Sequence, residues 1–262
     1  MIHLITHANR HLYGPQLKAL HRERRQQFIV ERGWALTEHE GGEYDRYDDE
    51  LAGHLVGFSS RGEIEVSCRL RPTYGGGLIP DLFPHLVSPT EPPPNAPGTF
   101  ECTRYLCTAA ARGRTGFEAR SKLHLPVVEH IRDSGGDRLL GFVDLPLLTH
   151  LRRFSGLRIR PVGLPADYDE GGVTIAFEIG VSEADLQQAR RKLRVAGPQL
   201  FRAPAWLPSG TDVLAFERAL TVLLHADDEE KRRLSEHLAT VAESVRLQPE
   251  GDAVMAELAQ AA

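Results

Sequence analysis

Eight residues in the first 104 positions have side chains that could bind and react with a charged small molecule. They are three arginines, three carboxylates and two aromatic residues, namely Arg24, Phe28, Trp34, Asp45, Asp48, Arg69, Glu101 and Arg104. A carboxylate can act as a general base, a guanidinium can hold a carboxylate through two parallel hydrogen bonds, and an aromatic ring can cover a cation. The set therefore offers a base, anion binders and an aromatic wall.

Each of these residues has a simpler interpretation when it is taken alone, because arginines and aspartates commonly form solvated ion pairs worth about 0–1 kcal/mol. The spacing adds two constraints. Arg24 lies four residues before Phe28, so the two share one face of a helix. Glu101 and Arg104 are three apart on a predicted strand, which puts their side chains on opposite faces. Either a bulge or a role for Arg104 outside the site must account for that pair.

The elements that must position these residues follow from hydrophobic periodicity and turn signals. We predict an amphipathic helix over residues 14–31, ended by Gly33, and a hairpin of strands 54–59 and 63–70. The remaining predicted elements are strands at 99–107, 138–144, 157–162 and 171–181, and helices at 117–133, 146–154 and 183–194. This order predicts an α/β fold, a three-layer α/β/α sandwich on a mixed sheet.

The composition is typical of a globular protein with a proper core, since 41% of the residues are hydrophobic and 26% are charged. A net charge of −5 gives no reason to expect a nucleic acid or an acidic membrane as partner. Three cysteines are too few for a disulfide framework, and the N-terminus lacks an apolar secretory segment. No window approaches 18 consecutive apolar residues. We therefore expect a cytoplasmic protein without a membrane span.

Two features that resemble binding motifs are interpreted as structural. His124, His130 and His150 lack the spacing of metal ligands, so we expect no metal site. The three glycines at 75–77 are followed by neither a lysine nor a helix start, so we interpret them as a flexible loop and not as a phosphate-binding motif.

The character of the sequence changes after about residue 182. The segment PQLFRAPAWLPSG is rich in proline, and residues 211–225 and 227–245 have apolar residues at helical spacing. We expect a main domain at 1–195, followed at 196–262 by a proline-rich connector and a helical C-terminal extension. The apolar helix needs a partner, either the sandwich or a second copy in an oligomer, and the sequence does not choose between them.

The order and spacing of the eight residues resemble those of the acyl-homoserine-lactone synthases, the LuxI-type autoinducer synthases. The local contexts that carry the resemblance are the helix segment 24–34, GGEYDRYD at 41–48, SCRLRPT at 67–73, DLFP at 81–84 and FECTR at 100–104. Arg32 stands one place later than is common in the family. The resemblance covers residues 20–110, weakens over 111–180 and is absent after about 195. It implies an acyltransferase sandwich similar to that of the N-acetyltransferases.

The resemblance also implies an activity and a set of roles. The family transfers an acyl group from a thioester to the amine of S-adenosylmethionine, then closes the lactone and releases methylthioadenosine, which yields a quorum-sensing signal. Glu101 and Arg104 would be catalytic, with Glu101 as the general base. Arg24 or Arg104 would hold the substrate carboxylate, and Phe28 and Trp34 would cover the sulfonium and adenine. The network that braces the pocket would comprise Asp45, Asp48 and Arg69.

The acyl side is harder to assign from the sequence. Its candidate lining residues are apolar or small and fit plain core equally well: Phe83, Gly141, Phe142, Val143 and Leu148. Family members that prefer 3-oxo chains tend to carry a hydroxyl residue at the position of Gly141 or Phe142. Neither residue can donate a side-chain hydrogen bond, so we expect an acyl group without a 3-oxo substituent.

The acyl donor is left open between coenzyme A and acyl carrier protein. A basic edge could meet either donor or could be a solvated helix face, and it consists of Arg112, Arg114, Arg120 and Lys122. No cofactor is expected, because both reactants are substrates. The alternative function is a general N-acyltransferase acting on another amine, and a third is a binding protein without turnover. Trp34 and the Asp45/Asp48 pair favour the synthase, since a generic acetyltransferase needs neither.

Overall fold

A mixed β-sheet forms the centre of the protein, which a computed structural model describes for residues 1–112, 121–168 and 172–225. The strands are β1 (Ile2–Ile5), β2 (Glu38–His39), β3 (Gly42–Glu43), β4 (Gly53–Phe58), β5 (Ile64–Pro72), β6 (Thr99–Cys107), β7 (Arg138–Asp144), β8 (Ile159–Pro161), β9 (Ala166–Tyr168), β10 (Gly172–Gly180) and β11 (Leu200–Phe201). Within the described residues nine of them form one sheet in the order β11-β1-β4-β5-β6-β7-β10-β8, with β9 paired to β10, while β2 and β3 form a separate hairpin.

Helices cover both faces of this sheet. They are α1 (Gly14–Arg24), α2 (Leu78–Leu82), α3 (His124–Asp133), α4 (Leu145–Phe154) and α5 (Glu183–Leu193). A further helix, α6 (Val213–His225), belongs to the second compact unit described below. Helices α3, α4 and α5 pack on one face through a large apolar cluster, and α1 and α2 lie on the other. The predicted three-layer α/β/α sandwich on a mixed sheet is therefore confirmed.

Strand alternation gives the two faces opposite chemistry. Along β5 the side chains of Cys68 and Leu70 enter the large apolar core, while those of Arg69 and Arg71 point to the face that α1 covers. On β6 the same alternation sends Phe100 to the apolar core. We refer below to the apolar face and the polar face of the sheet.

Strands β6 and β7 are the parallel pair at the centre of the sheet, and they separate along their length. Their pairing runs from Thr99↔Arg138 to Glu101↔Leu140 and goes no further, although both strands continue. Beyond this point the backbone of β6 is bound by a side chain, because Gln27 accepts from the amide of Cys107 and donates to the carbonyl of Tyr105. The carboxyl halves of the two strands are therefore not paired with each other, and we call this separation the cleft.

Most predicted elements are present in the structure, and two of the predicted helices differ in their bounds. The predicted helix over 14–31 is an α-helix to Arg24 and then a π-helical segment, Arg25–Glu31, after which Gly33 has φ of +71°. Part of the predicted helix 117–133 lies outside the described residues, and α3 begins at His124. The predicted hairpin and the strands 99–107 and 138–144 are confirmed.

The chain divides into two compact units, Met1–Arg202 and Ala203–Ala262. The first includes β11, which lies in the predicted proline-rich connector and pairs in parallel with β1. In the second, α6 begins after Asp212, whose carboxylate accepts hydrogen bonds from the amides of Leu214 and Ala215. The predicted helix at 227–245 lies outside the described residues. No helix among those described is long and apolar enough to cross a membrane.

Candidate active site

Six charged side chains on the polar face form a closed ring in which arginines and carboxylates alternate. In order around the ring they are Arg24, Asp48, Arg69, Asp45, Arg104 and Glu43. Arg24 at the end of α1 donates from Nε to Glu43 Oε2 at 2.6 Å, and from Nη1 and Nη2 to Asp48 at 2.6 and 2.9 Å. All three of its nitrogen atoms are therefore engaged with carboxylates.

The other two arginines complete this charge ring. Arg69 on β5 donates from Nη2 to Asp45 Oδ2 at 2.9 Å and from Nη1 to Asp48 Oδ1 at 2.9 Å. Arg104 on β6 donates from Nη2 to Glu43 Oε1 at 2.9 Å and lies 2.8 Å from Asp45 Oδ2. Each arginine bridges two carboxylates and each carboxylate bridges two arginines, so the ring balances three positive charges with three negative ones.

Burial makes this balance necessary. Arg69 and Glu43 are fully buried and Arg24 is nearly so. Burial alone would raise the pKa of Asp48, but hydrogen bonds and positive charge from Arg24 and Arg69 outweigh it and hold that pKa far below the usual range. The pKa of Asp45 is lowered for the same reason, through Arg69 and Arg104. Asp45 and Asp48 are thus charged at neutral pH, and removing any member of the ring would leave others without a partner.

Glu43 is the ring member that the sequence analysis missed. It lies in β3, which packs on α1 so closely that a Cβ on Gly42 would come within 2.9 Å of His21 Cβ. The available signal was its place in the segment GGEYDRYD, two residues before Asp45. In the sequence it looked like one more acidic residue of an exposed stretch.

The bulge that the spacing of Glu101 and Arg104 required is present in β6. Ser67 pairs with Leu106 and Arg69 with Thr103, so β6 has one more residue than β5 in this interval. Arg104 lies within the bulge with φ of +52°, which is uncommon for a residue with a side chain. The bulge turns Arg104 into the charge ring on the polar face, where Thr103 also accepts a hydrogen bond from Arg69 Nε at 3.1 Å.

Glu101 lies beside the ring and is held by backbone amides. Its carboxylate is fully buried and accepts hydrogen bonds from the amides of Leu78 and Ile79, at 2.8 and 2.9 Å. Burial raises the pKa of Glu101, although the two amide hydrogen bonds oppose this change. A carboxylate with a raised pKa is well suited to take a proton near neutral pH.

The glycines at 75–77 belong to this arrangement, which corrects their interpretation as a plain flexible loop. They lead directly into α2, whose first two amides are the donors to Glu101. A Cβ on Gly77 would lie 2.7 Å from the carboxylate carbon of Glu101. The loop therefore holds an anion at a helix start, but the anion is a side chain of the protein.

The two aromatic candidates stack on each other next to the ring. The rings of Phe28 and Trp34 are 5.4 Å apart and 7° from parallel. The guanidinium of Arg104 lies 5.8 Å from the Phe28 ring centre, and that of Arg32 lies 5.1 Å from the Trp34 ring centre. Arg32 also reaches Asp144, at the end of β7, at 3.6 Å. The aromatic pair therefore lies between the charge ring and the cleft at the end of β7.

The five candidates for the acyl pocket are split between the two faces of the sheet. Phe83 and Phe142 lie on the polar face with ring centres 5.3 Å apart, in a small cluster with Ile79 and Leu140. The other candidates pack with the large core on the apolar face: Gly141, Val143 and Leu148. At Gly141 a Cβ would come within 2.7 Å of the Phe177 ring. The five residues do not share one surface.

The predicted basic edge is only partly described, since Arg114 and Arg120 lie outside the described residues. Arg112 contacts Glu31 at 2.6 Å, and Lys122 contacts Glu65 at 3.1 Å. Both described members are thus paired with carboxylates. Among the described parts of the chain, no group of three or more histidine, cysteine or acidic side chains is placed to hold a metal ion.

Comparison with known proteins identifies the family. The autoinducer synthase family matches residues 9–189. The isovaleryl-homoserine lactone synthase of Bradyrhizobium diazoefficiens is 32% identical over 167 residues, which cover 63% of this chain and 74% of that protein. Among solved structures, the CoA-dependent acyl-homoserine lactone synthase BjaI with SAM and isopentyl-CoA has a TM-score of 0.69 at 27% identity, over 79% of this chain and 95% of BjaI.

A second solved structure agrees with this result. MesI, a CoA-dependent acyl-homoserine lactone synthase, has a TM-score of 0.64 at 26% identity, over 76% of this chain and 98% of MesI. The family match covers more than half of the chain and includes all six members of the charge ring, Glu101 and both aromatic residues. The chain therefore belongs to the autoinducer synthase family and is an acyl-homoserine-lactone synthase.

Proposed function

We propose that Glu101 is the general base of this synthase, that Phe28, Trp34 and Arg104 bind S-adenosylmethionine, and that the acyl group lies in the cleft between β6 and β7. The observation that carries this proposal is the position of Glu101 and Arg104. Both lie on β6, where it separates from β7, next to the charge ring and the aromatic pair.

The reaction requires that the substrate ammonium lose a proton to a base. Two substitution steps follow, each of which forms one bond and breaks one C–S bond. Glu101, directly or through a water molecule, takes the proton of the substrate ammonium. The free amine attacks the thioester carbonyl, so a C–N bond forms and the C–S bond breaks. A second proton passes from the nitrogen to the departing sulfur, which leaves as the thiol. A carboxylate oxygen of the product then attacks the carbon next to the sulfonium. A C–O bond forms, that C–S bond breaks, and methylthioadenosine leaves as a neutral thioether. Holding both pairs of atoms in attack geometry supplies several kcal/mol.

The contacts of Arg24 and Arg104 support a different role for each of these two arginines. Arg24 directs all three guanidinium nitrogen atoms to Glu43 and Asp48 and is nearly fully buried. We therefore assign Arg24 to bracing the site, together with Asp45, Asp48 and Arg69. Arg104 lies at the edge of the ring that faces Phe28, so it takes the role of binding the substrate carboxylate.

For the donor we propose a coenzyme A thioester with a short acyl chain that lacks a 3-oxo group. Two observations support this choice. The similar synthases BjaI and MesI are described as CoA-dependent. On the polar face, the rings of Phe83 and Phe142 lie 5.3 Å apart and occupy space that a long chain would need. Acyl carrier protein as donor is the competing outcome of the test below.

The test is a donor panel with two product measurements. The full-length protein is incubated with S-adenosylmethionine and matched acyl-coenzyme A and acyl-carrier-protein donors, and methylthioadenosine and lactone are quantified. We expect both products in equal amounts, with short acyl-coenzyme A donors giving the highest kcat/KM. A preference for acyl carrier protein would contradict the proposed donor. Acylation without methylthioadenosine would indicate an N-acyltransferase that acts on another amine.

A further inference from the structure

Arg71 is a buried arginine that lies outside the charge ring. It is directly opposite Glu101 in the β5–β6 pairing, and only 2% of it is exposed. Its Nη2 donates to Asp49 Oδ2 at 2.7 Å and to the Gly75 carbonyl at 2.9 Å, and its Nη1 donates to the Gly76 carbonyl. One guanidinium thus joins the carboxylate of Asp49 to two consecutive carbonyls of the glycine loop.

The segment that Arg71 holds is the one that presents amides to Glu101. Gly77 follows the two bound carbonyls, and the amides of Leu78 and Ile79 come next. Gly77 lies against the carboxylate, since a Cβ there would be 2.7 Å from each of the Glu101 carboxyl atoms. Contacts therefore run without interruption from Asp49 through Arg71 and the glycine loop to the carboxylate of Glu101.

Three consecutive glycines would not hold this geometry unaided. Glycine has more backbone freedom than any other residue, so ordering such a segment costs more conformational entropy than ordering an ordinary loop. The planar fork of an arginine can hold several acceptors in a fixed arrangement, which a lysine ammonium cannot do. The loop is therefore ordered by contacts from outside it, and the guanidinium of Arg71 supplies two of them.

We propose that Arg71, oriented by Asp49, is a positioning residue for Glu101: it fixes the glycine loop so that the amides of Leu78 and Ile79 hold the carboxylate in one orientation. This proposal rests on the assignment of Glu101 as the general base. Arg71 itself touches no substrate in this role, and it acts through the loop.

The proposed role of Arg71 predicts the direction in which the pH dependence of turnover should change when Arg71 is replaced. Burial raises the pKa of Glu101, and the amides of Leu78 and Ile79 and the positive charges of Arg69 and Arg71 all oppose this rise. If the loop is released, the carboxylate loses donors and its pKa rises further. The acid limb of the kcat profile, which follows the fraction of charged Glu101, should then move to higher pH.

The experiment compares Arg71→Met, Arg71→Lys and Asp49→Asn with the full-length wild-type enzyme, using S-adenosylmethionine and its best acyl donor. We expect the acid limb to rise by about half to one pH unit in Arg71→Met and Arg71→Lys, and by less in Asp49→Asn. At a pH on that limb, kcat should fall about tenfold, while KM for S-adenosylmethionine changes by less than about twofold. A wild-type profile in Arg71→Lys would show that only the charge matters and would overturn the positioning role.

A matched control is available in Arg138. It is also buried, and its guanidinium donates to the carboxylate of Glu178 and to the consecutive carbonyls of Pro92 and Pro93. Arg138→Met should lower stability without moving the acid limb. If it moves the limb as much as Arg71→Met does, the effect is general loosening and the proposal fails.

A second readout does not depend on catalysis. Hydrogen exchange of the peptide that contains Leu78 and Ile79 should be about tenfold faster or more in both Arg71 variants, and unchanged in Arg138→Met. Unchanged exchange in the Arg71 variants would overturn the proposal even if activity fell. If exchange rises as expected but Glu101→Gln retains wild-type turnover, the positioning contact is real and the assignment of Glu101 as base is what fails.

Discussion

The two faces of strands β5 and β6 are built from neighbouring residues yet differ completely in how they are held. On the apolar face, Cys68, Leu70 and Phe100 are buried in an ordinary hydrophobic core. On the polar face, Arg69 and Glu101 are buried equally well but are satisfied by opposite charges and backbone amides. Core side chains can be exchanged at the cost of packing, whereas each buried charge depends on specific partners.

The same contrast holds between two buried glutamates on opposite faces. Glu101 accepts from the amides of Leu78 and Ile79, and Glu129 on α3 accepts from the amides of Gln199 and Leu200 at 3.0 and 3.1 Å. Both carboxylates therefore stabilise a backbone segment. Of the two, Glu101 lies beside the charge ring and the cleft, so the pair allows a structural carboxylate to be compared with the proposed catalytic one.

The largest effect is expected from Glu101→Gln. The side-chain amide keeps the shape, and its one oxygen can still accept from one of the two backbone amides, but it cannot take a proton. Turnover should therefore fall about 10²- to 10⁴-fold while the Kd for S-adenosylmethionine changes little. The measurement pairs kcat with calorimetric binding. Glu129→Gln is the matched control and should keep kcat per folded molecule. An equal loss of binding and turnover in Glu101→Gln would remove this residue from the base role.

The second prediction compares stability on the two faces. Glu43→Gln leaves Arg24 and Arg104 each short of a buried carboxylate, so the free energy of unfolding should fall by about 3–5 kcal/mol. Leu139→Ala, in the apolar core, should lower it by about 2–5 kcal/mol through lost packing. Chemical denaturation measures both.

The double variants separate the two mechanisms. Adding Arg104→Met to Glu43→Gln should lower stability by less than the sum of the single changes, because it removes a stranded charge. Adding Val66→Ala to Leu139→Ala removes no stranded charge, so no comparable reduction below the sum of the single changes is expected. Strict additivity within the charge ring would show that its members act as independent ion pairs and not as one network.

A third prediction separates two kinds of buried polar group on the polar face. Burial lowers the pKa of both His3 and His54 to about 3, so both are neutral in the folded protein at neutral pH. In the unfolded chain both histidines take up a proton below about pH 6.5. Each histidine should therefore lower the free energy of unfolding by about 2 kcal/mol between pH 7 and pH 5. The carboxylates of Asp45 and Asp48 have lowered pKa values, so their contribution is lost only below about pH 4.

The measurement is the free energy of unfolding against pH for the wild type, His3→Asn and His54→Asn. Each variant should lose part of the slope between pH 7 and pH 5 and keep the steeper loss below pH 4. A slope that neither substitution changes would mean that these histidines are not neutral in the folded state. Asp45→Asn, in contrast, should lower the free energy of unfolding at every pH, because it breaks the charge ring, and should change the slope of the curve only at its acid end.

The difference between the two faces also explains which features of the site could be predicted from the sequence. Charged residues inside predicted strands, such as Arg69 and Glu101, are costly to bury, so their presence indicated a site and their spacing indicated the family. The conflict between Glu101 and Arg104 predicted a bulge, and the bulge is there. A local pattern of this kind is sufficient to predict a functional residue when that residue type has few structural roles at that position.

Other features depend on contacts that are distant in the sequence. Glu43 could not be distinguished from its acidic neighbours until β3 was placed against α1. The two residues of β11 lie in a proline-rich segment, and only their pairing with β1 identifies them as a strand. The role of the glycine loop depends on Arg71, which looks like any arginine at the end of a strand. The roles of the apolar acyl candidates were the hardest to predict from the sequence, because lining a pocket and filling a core require the same side chains.

The prediction with the smallest expected effect tests whether the acyl candidates line a pocket or fill the core. It compares substitutions at two neighbouring residues on opposite faces of the sheet. Phe142 packs against Phe83 on the polar face, while Val143 packs with the large core. Phe142→Ala should open space for a longer chain and raise the kcat/KM of an octanoyl donor relative to an isovaleryl donor by about 10- to 200-fold, or about 1–3 kcal/mol. Val143→Ala should lower stability and leave that ratio unchanged. The opposite result would move the acyl chain to the apolar face, where Gly141 and Leu148 would become its neighbours.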